Sequence, residues 1–202
     1  MGKTIVAIEG SYRPGRVIDT AVTETLRGVQ NQGVEVVRFN LRELTIEFCN
    51  NCRACTQEPG LRRGTCIYHD DMETVLEALD RADGVVLASP VNFGTVNALT
   101  KRFVERLVGY AQWPWGSPIP KVRQKVGHKH ALIITASAAP APIARVLMPD
   151  ARRCLRDAAR LMGAKGRRSL HLGMVARNQA DTLNQRQSQR LYRAGQHLAQ
   201  RV

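Results

Sequence analysis

The chain is expected to fold as an α/β domain built on a parallel sheet with helices on both faces. Two observations carry that expectation. Runs rich in β-branched residues alternate with helix-length amphipathic segments, and those runs are apolar throughout, as strands buried on both faces must be. At 202 residues, 44% of them hydrophobic, the chain can bury one full core and is too apolar for wholesale disorder.

The elements follow in order. Residues 4–9, "TIVAIE", read as the first strand, and 17–31 as a helix after a short loop. Residues 34–39 form the second strand, and 41–69 are irregular and cysteine-rich. Asp70-Asp71-Met72-Glu73 has the pattern of a capping box, an N-cap carboxylate with Glu three residues on, opening a helix to about Arg81. "GVVLASP" is the third strand, and "TVNALTKRFVERLVGY" a helix. A Trp/Pro-rich loop over 112–128 leads to the fourth strand, "HALIITAS". Residues 144–162 are helical, "SLHLGMV" is the fifth strand, and the last 20 residues form a polar amphipathic helix. No repeat or linker interrupts the series, so residues 1–202 are expected to form a single domain with a cysteine-rich insertion at 48–69.

The net charge of +13 is placed unevenly, with −3 on residues 1–100 and +16 on residues 101–202. A positive half suits an anionic partner, whether a nucleotide phosphate, nucleic acid or an acidic surface, or it is simply a solvated face. The longest apolar candidate, "ALIITASAAPAPIA", is broken by Thr135, Ser137 and two prolines, so no membrane partner is expected. "MGKTIVAIEGS" lacks a signal-peptide layout, and Val6 stands where a myristoylation signal needs Ser or Thr. A cytoplasmic location is the expectation.

In a sheet of this kind ligands bind beyond the carboxyl ends of the strands, where the strand order reverses. The loop after the first strand reads "GSYRPGRVID". Its glycines allow tight backbone, the helix that follows offers free N–H groups, and Arg13 and Arg16 supply forked, permanently charged donors for phosphate oxygens. The Rossmann fingerprint is absent, since Asn40 stands where an acid should close the second strand. The Walker spacing of Gly10 and Gly15 is present, but Arg16-Val17 replaces Lys-Ser/Thr and removes the magnesium-holding hydroxyl. A phosphomonoester held without metal fits this loop better than a nucleoside triphosphate. Asp19, in the first turn of the helix, would repel a dianion and is expected to point away from it.

Cys49, Cys52, Cys55 and Cys66 fall within 18 residues, while Cys154 stands alone in a helix and reads as core. Such crowding of thiols suits an iron–sulfur ligand set, a four-thiolate zinc site, or a packed loop holding no metal. "WPWGSPIP" reads as a lid, a subunit contact or a surface loop tied down by its own aromatics. Lys121, Arg123, Lys125 and Lys129 could meet cofactor phosphates or form a solvated basic stretch. The five histidines, among them His128 and His171, show no triad or metal spacing.

Taken together, "GSYR" after strand one, "CNNCRAC…GTCIYHDDM" after strand two and "SPVNFGTVNALTKRFVER" after strand three resemble the NADPH-dependent FMN reductase family of flavodoxin-like proteins, and within it the iron–sulfur flavoprotein branch. The resemblance covers about residues 4–175. It implies a flavodoxin-like three-layer sandwich, a five-stranded parallel sheet in order 2-1-3-4-5, and bound FMN. Carried onto this sequence, it implies that Ser11, Arg13, Arg16 and the N–H groups of Val17 and Ile18 take the FMN phosphate. Pro90, Val91, Asn92, Phe93, Gly94 and Thr95 would run along the isoalloxazine ring, and Ser137, Ala138 and Ala139 along the ribityl and N1 side. It further implies a 4Fe-4S cluster on Cys49, Cys52, Cys55 and Cys66, and a homo-oligomer. The stretch "PGRVID" departs from the usual Ser, Asn or Thr after the arginine, and Asn92 stands where many relatives carry Tyr.

The function expected is an FMN-dependent NAD(P)H oxidoreductase that passes electrons to a quinone, a flavin or a similar small acceptor. No catalytic side chain is required, because the flavin carries the chemistry. One rival is an iron–sulfur flavoprotein carrying electrons from a redox protein by way of the cysteine loop. Another is a non-enzymatic nucleic-acid-binding module using the basic half, which lacks aromatic platforms and a helix-turn-helix spacing.

Overall fold

The computed structural model describes residues 2–124, 127, 129–176 and 182–202. Five parallel strands form the central sheet: β1 (Thr4–Glu9), β2 (Glu35–Asn40), β3 (Gly84–Asn92), β7 (Lys129–Ala136) and β8 (Ala164–Leu172), in the order β2-β1-β3-β7-β8. That is the expected order 2-1-3-4-5, a flavodoxin-like arrangement whose direction of winding reverses between β1 and β3. Three short strands lie off this path: β4 (Thr95–Val96) folds back on β3, and β5 (Ala111–Gln112) pairs with β6 (Lys121–Val122).

Alternation along the strands explains their apolar sequences. Ile5 and Ala7 of β1, Val86 and Ala88 of β3, and Leu132 and Ile134 of β7 face one way, against α1 (Val17–Gln30) and α6 (Gln185–Ala199). Val6 and Ile8, Val85 and Leu87, and Ala131 and Ile133 face the other way, against α2 (Met72–Arg81), α3 (Ala98–Glu105) and α5 (Asp150–Leu161). Both faces are covered, so neither set of positions tolerates a polar residue.

Four boundaries differ from expectation, each for a local reason. Asp70-Asp71 forms no capping box, because Asp71 accepts from the Thr45 amide, Asp70 from the Glu47 and Met72 amides, and Glu73 pairs with Arg63. The expected helix over 95–110 is shorter: Thr95 and Val96 pair with β3, Asn97 caps α3, and Arg106–Tyr110 winds as a 3-10 turn. The helix over 144–162 is broken at Pro149 into α4 (Ala141–Leu147) and α5. The fifth strand begins five residues before "SLHLGMV" and ends three before it does. Lys165, Arg167 and Arg168 disguise it, and as the sheet's edge β8 can carry them.

Helices α1 and α6 cross at two glycines. A Cβ on Gly28 would lie 2.1 Å from the Tyr192 carbonyl oxygen, and one on Gly195 would lie 2.0 Å from that of Thr25. Alanine in a helix interior normally stabilises by about 1 kcal/mol relative to glycine. Here Gly195→Ala is expected instead to cost about 2 kcal/mol by forcing the backbones apart, which urea unfolding would read as a lowered midpoint with an unchanged slope.

Candidate functional site

The loop after β1 is pinned to the loop after β3 by buried polar groups. The Asn97 side-chain amide donates to the Gly10 carbonyl at 2.6 Å, while its oxygen accepts from the Thr100 amide at 2.9 Å. The Thr100 hydroxyl lies 2.7 Å from that same oxygen and 3.0 Å from Ser89 Oγ. It occupies the space where a Cβ on Gly10 would be, 1.8 Å away, so only glycine fits that position. The Leu99 amide donates to the Tyr12 hydroxyl at 3.1 Å, so both loops together hold the start of α3.

Above this floor opens a cleft of about 390 Å³, of a size suited to a cofactor. Of the residues expected at the site, Ser11, Arg13, Arg16, Val17, Ile18, Pro90, Val91, Asn92, Ser137 and Ala138 all line it. Phe93, Gly94, Thr95 and Ala139 lie outside its lining. Phe93 (φ +48°) and Gly94 (φ +83°) form the two-residue turn between β3 and β4, a geometry that carries the Phe93 ring into solvent. Tyr12, Val175 and Ala176 complete the wall and were not expected there. Tyr12 lay within the quoted loop, but nothing local marks Val175, which arrives because its amide donates to the Ser137 carbonyl at 3.2 Å.

The cleft is built for an anion at its β1 end. No side chain caps α1, so its first amides are open, and neither the Arg13 nor the Arg16 guanidinium has a protein partner among the described residues. Asp19 does point away. Its carboxylate accepts from the Gly15 amide at 2.8 Å and from Arg38 at 2.7 Å, with Arg42 at 3.8 Å. Arg38 also grips Glu9, a fully buried carboxylate at the end of β1 that Arg42 reaches at 3.1 Å. Burial works to raise the Asp19 pKa, but the Gly15 amide and the two guanidiniums outweigh it and hold the carboxyl below its usual 3.8.

On the opposite wall, His171 bridges two hydroxyls, with Nδ1 2.8 Å from Thr135 Oγ1 and Nε2 3.0 Å from Ser137 Oγ. Burial, then the nearby charges of Arg145 and Arg152, hold its pKa below the usual 6.5. No spacing in the sequence announces this bridge, because its three residues come from two strands and a loop.

The four cysteines of the insertion ring a second cavity of about 310 Å³, lined also by Ile67, Tyr68, Arg106 and Trp113. Among the described residues, no three His, Cys, Asp or Glu side chains converge as they would around a single metal ion. Burial pushes the Cys55 thiol up to about 11, with the neighbouring Cys66, Cys49 and Cys52 adding to it. A buried ion pair, Arg106 with Asp70 at 2.6 Å, closes one side. On the other side the Arg53 guanidinium stacks between Trp113 and Trp115, 3.9 and 4.2 Å from their ring centres. "WPWG" is thus tied to the cysteine loop. Arg123 is buried, donating to the Gly109, Gly60 and Cys55 carbonyls, and Lys129 to those of Leu79 and Asp80. Neither is free to meet cofactor phosphates, and Lys125 and His128 lie outside the described residues. Cys154 is half-buried against the core on the α5 side, as expected.

The strand order, with a cleft at its point of reversal, defines a flavodoxin-like α/β protein. Residues 4–150 match the NADPH-dependent FMN reductase family, and the chain belongs to it. Its curated relatives include iron–sulfur flavoproteins of Archaeoglobus fulgidus, 31% identical over 109 residues (54% of this chain, 47% of the relative), and of Methanocaldococcus jannaschii, 32% identical over 102 residues (50% of each). The chain spans about half the length of these relatives. Among solved structures it is similar to an NAD(P)H:quinone oxidoreductase from Methanothermobacter marburgensis, with a TM-score of 0.76 at 15% identity, covering 98% of this chain and 100% of that one. It is also similar to an FMN-dependent NADH-azoreductase from Bacillus anthracis in complex with FMN, with a TM-score of 0.67 at 12% identity over 100% and 99%. At such identities the likeness is one of fold. No helix among the described residues is long and apolar enough to cross a membrane.

Because folding lowers the Asp19 pKa, its contribution to stability is whole above about pH 4 and is lost as the pH falls through the depressed value. Asp19→Asn is therefore expected to cost about 2 kcal/mol at pH 7, with the gap to the parent narrowing below pH 4 in urea titrations.

Proposed function

We propose that the chain binds FMN in the cleft and acts as an FMN-dependent NAD(P)H oxidoreductase, delivering electrons to a quinone, a flavin or a similar acceptor. The observation that carries the reading is the meeting of Arg13 and Arg16, both without a side-chain partner among the described residues, and an uncapped helix start with the Pro90–Asn92 and Ser137–Ala138 walls in one cleft. Bound there, FMN would supply hydride acceptance at N5 and onward release of electrons. The chain's own part is to hold and orient. Ser11, Arg13, Arg16 and the amides of Val17 and Ile18 would neutralise the phosphate. Pro90, Val91 and Asn92 would border the ring, with Phe93, Gly94 and Thr95 forming the turn at its outer edge. Ser137, Ala138 and Ala139 would flank the ribityl side, Ser137 being oriented by His171. The purified protein should be yellow and should oxidise NADPH or NADH in the presence of a quinone. Arg13→Ala with Arg16→Ala should weaken FMN binding by roughly 100-fold, since two charge-assisted contacts are lost. A colourless protein with no affinity for FMN in a fluorescence titration would refute the reading.

A second reading, an iron–sulfur flavoprotein that carries electrons for a redox protein, rests on the cysteine cavity. One zinc ion would draw four sulfurs to about 2.3 Å from a common centre. Here the thiols surround a cavity with room for a larger body, and Arg53 and Arg106 on its wall would offset the charge of thiolate ligands. A 4Fe-4S cluster held by Cys49, Cys52, Cys55 and Cys66 would add one-electron storage. Anaerobic purification should then yield about four iron and four sulfide per chain, lost in Cys52→Ser. Protein that carries zinc alone, or no metal, would remove this reading and leave the first intact.

A further inference from the structure

Behind the His171 wall lies a separate cavity of about 280 Å³ between α4, α5 and the outer end of β8. Three guanidiniums line it, from the exposed Arg145 of α4 and from the half-buried Arg152 and exposed Arg156 of α5, and among the described residues no carboxylate does. None of the three has a hydrogen bond or ion pair among the described residues. Their neighbour Arg153 contrasts with them, pointing outward to Asp150 at 3.4 Å. The Ser169 hydroxyl is shielded from solvent yet has no partner among the described residues, and Ser169 also lines this cavity. No side chain caps α5, whose first turn opens beside Pro149 and Arg152 at the same place. Three like charges with no counter-charge among the described residues repel one another, and a shielded hydroxyl without a partner has given up its hydrogen bond to water. Both penalties vanish if an oxyanion sits among them.

We propose that this cavity is a second anion site that takes a phosphoryl group, gripped by Arg145, Arg152 and Arg156 and accepting a hydrogen bond from Ser169. Forked guanidinium donors match the tetrahedral oxygens of phosphate, and three cations match a dianion better than a carboxylate. At about 30 Å³ per water, the cavity has room for roughly nine waters. That is more than a bare phosphate fills and less than a dinucleotide needs, so the ligand is inorganic phosphate or the monoester end of a nucleotide. The site is distinct from the Ser11 loop. Its wall is the Thr135–His171–Ser137 chain, whose far end, Ser137, faces the cleft.

The test is calorimetric titration of inorganic phosphate into the flavin-loaded protein at low ionic strength, so that the β1 loop is already occupied. One saturable site is expected, weakened at least tenfold in Arg145→Gln and in Arg152→Gln and unaltered in Arg153→Gln. Phosphate should raise the Tm of the parent and of Arg153→Gln but not of the other two. Displacement of phosphate by adenosine 2′-phosphate would mark a nucleotide monoester as the ligand, and failure to displace it would mark the free ion; either outcome supports the site. Absence of saturable binding, or equal binding by Arg152→Gln, Arg145→Gln and the parent, overturns it. If the protein takes up no flavin, phosphate binding lost in Arg13→Gln but kept in Arg152→Gln also overturns it. The fate of this site is thereby separated from that of the flavin reading.

Discussion

The architecture of the cleft depends on one buried contact, the Asn97 amide on the Gly10 carbonyl. A loop leaving a strand has no ladder to satisfy its backbone, and a buried carbonyl must find a donor elsewhere. Asn97 provides that donor while its oxygen caps α3, so one side chain serves both loops. The Thr100 hydroxyl completes the contact only because residue 10 has no side chain. Remove this arrangement and the β1 loop loses its height relative to β3, and with it the alignment of Ser11 with Pro90. The positive end of α1 then has nothing to face.

Electrostatics around that loop are divided into two sides. Asp19 occupies the first turn of α1, where its charge favours the helix but opposes an anionic ligand. The conflict is resolved by Arg38 and Arg42 on the β2 side, which neutralise Asp19 together with the buried Glu9. Because the Asp19 carboxylate also holds the Gly15 amide, the neutralising pair fixes the loop's shape as well as its charge. Among the described residues, nothing opposes Arg13 and Arg16 on the cleft side.

The fold was legible because both faces of the sheet are covered: continuous apolar strands mark β1, β3 and β7 without ambiguity. It was hardest to read where burial is one-sided. β8 carries Lys165, Arg167 and Arg168 as an edge strand, and its hydropathy misplaces its start by five residues. Glycines, arginines and a helix start lie close together in the chain, so the β1 loop could be read directly, whereas the Pro90–Asn92 and Ser137–Ala138 walls were implied only by the family resemblance. The rest is assembled from distant residues. Val175 and the His171 bridge meet through tertiary packing, which leaves no local pattern; Arg152 and Arg156 lie one turn apart on α5, and only packing brings Arg145 to them. Arg123 and Lys129 looked like surface cations and are instead buried donors, since a long side chain can carry its charge to carbonyls deep in a loop.

Helix α3 runs from the floor of the cleft to the cysteine cavity. Its first residue follows Asn97, and Arg106, immediately beyond its last, lines the cysteine cavity. Eight helical residues span about 12 Å, a separation that the stiffness of a helix keeps constant. Both ends are anchored by groups that cannot move cheaply: Asn97 through Gly10 and Thr100, and Arg106 through the buried Asp70 carboxylate. A shift of the β1 loop would therefore be transmitted to the cysteine loop, and the reverse.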